Sequence, residues 1–193
     1  MAFIIQTPQT SRHGCIIRRL GLDDATHYHE IRLRMLSEHP SSFVTSLEDV
    51  AGKPVESVLP SLGLAPGAVE NAMLGAFDEQ NMLIGVAGLR VSLRRQERHR
   101  GTVVSMFVDS VHAGRGVGTA LMQTLICEAE SIPFLEQLHL RVTVGNEAAI
   151  RLYVRAGFIP AGIEVRATKS GGAYYDALHM HRPLRTSVGL VST

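Results

Sequence analysis

Residues 102–129 read TVVSMFVDSVHAGRGVGTALMQTLICEA, and the fold turns on them. Thr102 to Val108 is rich in β-branched residues and predicts a strand. Asp109 to Ala113 turns the chain. Gly114, Gly116 and Gly118 come next at alternate positions, and Leu121, Met122, Leu125, Ile126 and Ala129 then mark one face of a 3.6-residue period. A strand thus passes through a glycine loop into a helix N-terminus. The first N–H groups of a helix have no intrahelical partner, and its dipole adds roughly half a positive charge there. Such a loop is an anion site, with phosphate or pyrophosphate as the expected occupant. The glycines allow positive φ and keep Cβ atoms away from a ligand.

Upstream, Cys15 to Leu20 predicts a first strand and Gly21 to Asp24 the start of a helix with Tyr28, Ile31 and Met35 on its apolar face. His39-Pro40 ends that helix. Between Pro40 and Gly67, Ser46 to Asp49 has capping-box form, while Pro54 and Pro60 interrupt any longer helix, so a short helix and a loop are expected. Met73 to Phe77 and Leu83 to Leu89 flank the turn-like Asp78 to Asn81 and predict a hairpin. With Thr102 to Val108, three antiparallel strands should precede the glycine loop.

Downstream, Ser131-Ile132-Pro133 stops the loop helix. Leu138, Leu140, Val142 and Val144 alternate with polar residues as in a half-buried strand. Asn146 caps a helix over Glu147 to Ala156, and Gly157 suits the left-handed position after it. Ile159 to Thr168 and Tyr174 to Leu184 read as two final strands. Hairpin strands beside strand–helix units predict an α/β (α+β) chain with one mixed, largely antiparallel sheet and helices on its faces. One domain over residues 15–184 is expected, with tails at 1–14 and 185–193.

Composition bounds the function. The chain has 193 residues, 45% of them hydrophobic, which suits a packed core. A formal net charge of +1 provides no field to recruit nucleic acid or an acidic membrane. Two cysteines, Cys15 and Cys127, form no paired motif; Met1 to Gly14 lacks a charged region followed by an apolar run of signal-peptide length, and no stretch approaches a membrane span. A soluble cytoplasmic protein is the expectation.

The glycine loop alone leaves several readings. A dinucleotide site places its fingerprint after the first strand with an acid beyond the second, whereas this loop is in mid-chain and the next strand ends in Gly145-Asn146. A P-loop needs a lysine that Val117-Gly118-Thr119 lacks. A second stretch is decisive. Asn146 to Phe158, NEAAIRLYVRAGF, resembles the N-x-x-A-x-x-x-Y-x-x-x-G-F element of the GNAT superfamily of acyl-CoA-dependent N-acyltransferases. Val108 and Ala113 to Gly118 resemble that family's loop signature, in the same order and with the same spacing. The family's usual arginine or glutamine is here Ala113, which removes one charge-assisted contact, and Arg115 is a candidate to replace it.

The resemblance implies acetyl transfer from acetyl-CoA to an amine, within a sheet splayed around the cofactor. Backbone groups of Met106, Phe107 and Val108 would pair with the pantetheine arm and polarise the thioester. Ala113, Gly114, Arg115, Gly116, Val117, Gly118 and Thr119 would cradle the pyrophosphate, and Asn146 would contact the cofactor. Tyr153, two helical turns beyond Asn146, would donate to the leaving thiolate. The general base stays open among Glu97, His99, Asp176 and His179, with Ser105 able only to relay through water. A non-catalytic acyl-CoA-binding or sensor domain is the alternative.

Other features have bland readings beside sharper ones. His179 and His181 share a strand face without an apparent third ligand, so no metal is expected. Arg94 to Arg100 could meet RNA or a cofactor phosphate, but it lacks interleaved aromatics and reads as a solvated turn. Cys127 lies among apolar neighbours in the loop helix and reads as core. The expected partners are acetyl-CoA and a small amine or peptide; exposed strand edges leave a homodimer open.

Overall fold

The structure is a computed structural model that describes residues 9–10, 14–64, 71–92 and 94–184. Its strands are β1 (Gln9–Thr10), β2 (Ile16–Arg19), β3 (Asn71–Phe77), β4 (Leu83–Val91), β5 (Arg100–Val108), β6 (Gln137–Thr143), β7 (Ile159–Ser170) and β8 (Ala173–Pro183). Its α-helices are α1 (Ala25–Glu38), α2 (Val117–Glu130) and α3 (Glu147–Arg155). The strands form one sheet in the order β1-β2-β3-β4-β5-β6-β8-β7. Every pairing is antiparallel except β5 with β6. No helix of the described residues is long and apolar enough to cross a membrane.

Two apolar cores arise from strand alternation. Val103, Leu138, Leu140 and Val142 face one side, where they meet Leu121, Met122, Leu125 and Ala129 of α2 and Tyr153 of α3. Val86 and Phe107 face the other side, against Tyr28, Ile31 and Met35 of α1. The expected apolar faces of α1 and α2 are therefore the buried ones. The hairpin of β3 and β4 closes on Asp78, whose Oδ1 accepts from the backbone N–H of Gln80 at 3.0 Å and of Met82 at 2.8 Å.

Several expectations change in detail. Gln9–Thr10, read as part of a leader, adds a short strand beside β2. The rest of the two tails, 1–8, 11–13 and 185–193, lies outside the described residues. The predicted short helix after Pro40 is a 3-10 turn, Val55–Val58, because proline at 54 and 60 leaves no length for an α-helix. The Ser46 capping box does form, with Asp49 N–H donating to Ser46 Oγ at 3.2 Å and Ser46 N–H to Asp49 Oδ2 at 2.9 Å. Val144 falls past the end of β6 and is exposed, since the chain already turns at Gly145. Cys127 is exposed rather than core: it sits on α2's outer side, while its neighbours Ile126 and Glu128 turn inward.

Candidate active site

The sheet opens where β5 and β6 part. Their parallel pairing covers only Arg100↔Gln137, Gly101↔Leu138 and Thr102↔His139. Beyond Thr102 the two strands diverge, leaving β5's edge without its neighbour and a cleft of about 860 Å³ between them. That volume is in the range of small-ligand sites.

A bulge in β5 shapes the cleft wall. Opposite β4 the register runs Gly88↔Val104 and then Val86↔Phe107, so β5 carries one extra residue. Ser105 takes it up at φ 54°, the left-handed region that a residue with a Cβ rarely enters. The bulge re-aims Ser105 and Met106, and it breaks the ladder beside the splayed edge. Nothing in the local pattern of residues 102–108 marks this, because a bulge is a property of pairing.

The glycine loop lies just past the end of β5. Asp109 caps the turn after the strand, its Oδ1 accepting from Val111 N–H at 3.2 Å. Asp109 is buried at 8% exposure and paired with Arg34 of α1. Gly114 and Gly116 adopt φ of 74° and 80°, and Gly116 is the residue from which α2 starts. Gly118 lies inside α2 against β5: a Cβ there would stand 3.3 Å from Met106 Cε. The glycines thus have two duties, a left-handed entry and a close helix–strand approach.

Of the residues predicted for the site, Met106, Phe107, Val108, Gly118, Asn146 and Tyr153 line the one cleft. Ala113, Gly114, Arg115, Gly116, Val117 and Thr119 do not line it. The first three of these and Thr119 are exposed, and Val117 is buried under the helix. Asn146 spends its side-chain oxygen on its own helix, accepting from Ala149 N–H at 3.2 Å. Its amide N–H₂ is the group left to face a ligand.

Tyr153 is 6% exposed, and its ring packs edge-on against Phe158 with centroids 6.0 Å apart. Burial pushes its phenol up to about 12. It therefore stays protonated throughout the physiological range.

The open question of the base narrows. His179 lines the cleft, with Nε2 2.9 Å from Glu164 Oε2. Glu97, His99 and Asp176 do not line it. Glu97 accepts from Ser92 Oγ at 3.1 Å, and Asp176 Oδ1 accepts from Arg166 N–H at 2.7 Å. His179 and His181 stay apart from any larger ligand set: no grouping of three or more metal-ligating side chains occurs among the described residues. In the turn before β5, residues 94–98 are exposed, and Arg98 lies over Phe134 at 5.5 Å.

The wall on α1's side contains residues that the sequence did not single out. Arg32 donates from Nη1 to Ser61 Oγ at 3.1 Å, and both line the cleft. Tyr28 is fully buried nearby, with Ser61 and Ser105 as polar neighbours and no hydrogen-bond partner for its hydroxyl among the described residues. Helical periodicity identifies α1's buried face but does not say which polar residues beside it meet a distant strand.

Comparisons with known proteins agree with this geometry. Residues 64–158 match the family model described as the acetyltransferase (GNAT) family. The chain is 34% identical over 90 residues to the L-amino acid N-acetyltransferase AaaT of Escherichia coli, spanning 45% of this chain and 56% of that protein. It is 25% identical over 183 residues to the phosphinothricin N-acetyltransferase of Alcaligenes faecalis, spanning 91% of this chain and 86% of that one. Among solved structures, a GNAT-family acetyltransferase of Streptococcus pneumoniae superimposes with a TM-score of 0.77 at 22% identity, over 88% of this chain and 99% of that one. The structure of yncA from Salmonella typhimurium with acetyl-CoA gives 0.76 at 20% identity, over 88% and 94%. Residues 64–158 thus carry the match to the acetyltransferase (GNAT) family, and the splayed sheet has the fold of the solved GNAT acetyltransferases.

Proposed function

We propose that the protein transfers the acetyl group of acetyl-CoA directly to the amine of a small molecule or peptide, within a ternary complex. The observation that carries this is the convergence of Met106, Phe107, Val108, Gly118, Asn146 and Tyr153, from both sequence signatures, on the cleft between β5 and β6. In this reading the loop from Ala113 to Thr119 meets the pyrophosphate at the mouth, chiefly through backbone N–H groups at the start of α2. Arg115, exposed beside it, offers the charge that Ala113 lacks. The pantetheine arm runs along the free edge of β5 toward the bulge.

The neutral amine nitrogen attacks the thioester carbon, and the carbonyl electrons move to oxygen. Backbone donors around the bulge oppose that developing charge. Collapse re-forms the carbonyl and breaks the C–S bond, and the amine nitrogen loses one proton. That proton balances the one the CoA sulfur finally carries. Burial holds the Tyr153 phenol above its ordinary value, so it keeps its proton against a free thiolate. Tyr153 thus acts by hydrogen bonding to the sulfur as negative charge grows, and the amine's proton completes the thiol. His179, oriented by Glu164, is the cleft side chain suited to take that proton from the amine and pass it through solvent to the sulfur. Exposed Ile163 and Val165 on the edge strand β7 support a homodimer in the same reading.

The test is thiol release from acetyl-CoA against a panel of amines, together with the melting temperature with and without acetyl-CoA. Amine-dependent release is expected. Stabilisation by acetyl-CoA with no release on any amine would replace this reading with a CoA-binding module.

A further inference from the structure

The cleft has a marked imbalance of charge. Arg32, Arg90, Arg100 and Arg141 line it, together with the imidazoles of His39, His139 and His179, and no carboxylate does among the described residues. Arg141 and His179 are partly neutralised by Glu164, at 3.1 and 2.9 Å. Arg32, Arg90 and Arg100 have no carboxylate partner among the described residues: Arg32 donates to Ser61, and Arg100 Nε donates to His139 Nε2 at 3.3 Å. Guanidinium groups are always charged; Arg90 and Arg100 are exposed and screened by solvent, so half-buried Arg32 contributes the strongest local field to this part of the cleft.

Arg90 and Arg100 stand at the far end from the CoA phosphates of the proposed reading. Arg100 begins β5 and the glycine loop lies past its other end, so at ~3.3 Å per residue they are separated by about 26 Å along the strand. Arg90 is opposite Thr102, near the same end as Arg100. The bulge at Ser105 lies between, and Tyr28 and Ser105, its neighbours on α1's side, place Arg32 near it. The cations are thus distributed on the side from which an acceptor would approach the acetyl group. Arg32 is half-buried and already held by Ser61, which leaves its remaining N–H groups in a fixed fork. The hydroxyls of Ser61, Ser105 and Tyr28 supply neutral donors around it.

We propose that the acceptor is a small amine carrying an anionic oxyacid group, a carboxylate or a phosphorus oxyacid, and that Arg32 anchors this group while Arg90 and Arg100 reinforce the field. This rests on the acetyltransferase reading above and adds the acceptor's chemical class. A polyamine would bring cations into a cleft lined by no carboxylate among the described residues. An anionic amine would satisfy the arginines and present its nitrogen toward the bulge.

Steady-state kinetics on matched acceptors test the proposal: an α-amino acid, its carboxamide, an aminoalkyl phosphonate and spermidine, each at saturating acetyl-CoA. The acid or the phosphonate should exceed the carboxamide and spermidine by at least about 10-fold in kcat/KM, and the order of the two oxyacids identifies the anion. Arg32→Gln should raise KM for the oxyacid amine by about 10- to 100-fold, leave KM for acetyl-CoA near the parent value and abolish the discrimination against the carboxamide. Arg90→Gln should act in the same direction more weakly, and it serves if the first variant does not fold. Equal or better turnover of the carboxamide or spermidine overturns the proposal while leaving the acetyltransferase reading intact. So does an equal loss on acid and carboxamide in Arg32→Gln. If no amine is acetylated, calorimetric titration of the acetyl-CoA-loaded protein decides: Arg32-dependent binding of the oxyacid upholds the anchor, and absence of binding overturns it.

Discussion

Arg34 of α1 holds its Nη1 2.6 Å from Asp109 Oδ2, joining the helix on one side of the sheet to the turn that leads into the glycine loop. Asp109 also caps that turn through its other carboxylate oxygen, and its backbone N–H donates to Ile84 O at 2.9 Å. The loop's position thus depends on a helix far away in sequence. Replacing Arg34 by Met leaves a buried carboxylate without its partner. Because the arginine side chain is 48% exposed, the expected loss is toward the low end of a buried pair, about 1–2 kcal/mol. Melting temperature should fall and KM for acetyl-CoA should rise. Arg34→Met with Asp109→Asn should recover part of the stability, which denaturant titration of the full double-mutant cycle would measure.

Tyr153→Phe keeps the ring that packs on Phe158 and removes only the hydroxyl. The expected result is a fall in kcat of about 100-fold with a melting temperature close to the parent's. Since the phenol titrates near 12, the parent's alkaline rate limb should not come from Tyr153 and should persist in the variant. A variant with unchanged turnover removes the tyrosine from the reaction.

Gly116→Ala places a Cβ on a residue at φ 80°. The strain is about 1 kcal/mol, and relaxing it would shift the first N–H groups of α2. KM for acetyl-CoA should rise several-fold while kcat changes little. An equal fall in kcat at saturating acetyl-CoA would place the loop in the chemical step instead.

His139 gives a pH prediction. Burial, then Arg100 and the neighbouring histidines, hold its imidazole below the ordinary 6.5. The unfolded chain therefore binds its proton first as pH falls. The stability that the neutral ring contributes is complete above 6.5 and is lost as pH drops from there through the folded value. His139→Gln should flatten the fall in melting temperature between roughly pH 7 and 5. An unchanged slope would assign that fall to other groups.

Cys127 is exposed and Cys15 is 2% exposed. A thiol reagent should modify Cys127 in the native protein and Cys15 only after denaturation. Cys127→Ser should retain full turnover, because direct transfer passes through no cysteine. Loss of turnover would point to an acyl-enzyme step.

Much of this molecule is legible from local pattern. The alternation around Leu138 to Val142, the periodic face of α2 and the cap at Asn146 each depend on residues a few positions apart, so the sequence alone determines those elements and the face each buries. The two signatures also carry the proposed donor side, since the strand, glycine loop and helix start of the first are contiguous in the chain. The misreadings arise where a residue's neighbours in space differ from its neighbours in sequence. Cys127 comes directly after the apolar Ile126 yet points outward, because adjacent residues on a helix lie about 100° apart.

The proposed acceptor side belongs to tertiary structure. Arg32 of α1, Arg90 of β4, Arg100 of β5 and His139 of β6 meet only because the sheet brings four separated segments to one cleft. The bulge at Ser105 exists only in the register of β5 against β4, and the cleft only in the early end of β5's pairing with β6. The proposed donor site is legible because each of its two signatures is a contiguous stretch, one at the junction of β5 and α2 and one along α3. The acceptor site is built from side chains whose spacing is set by packing, and packing has no local code.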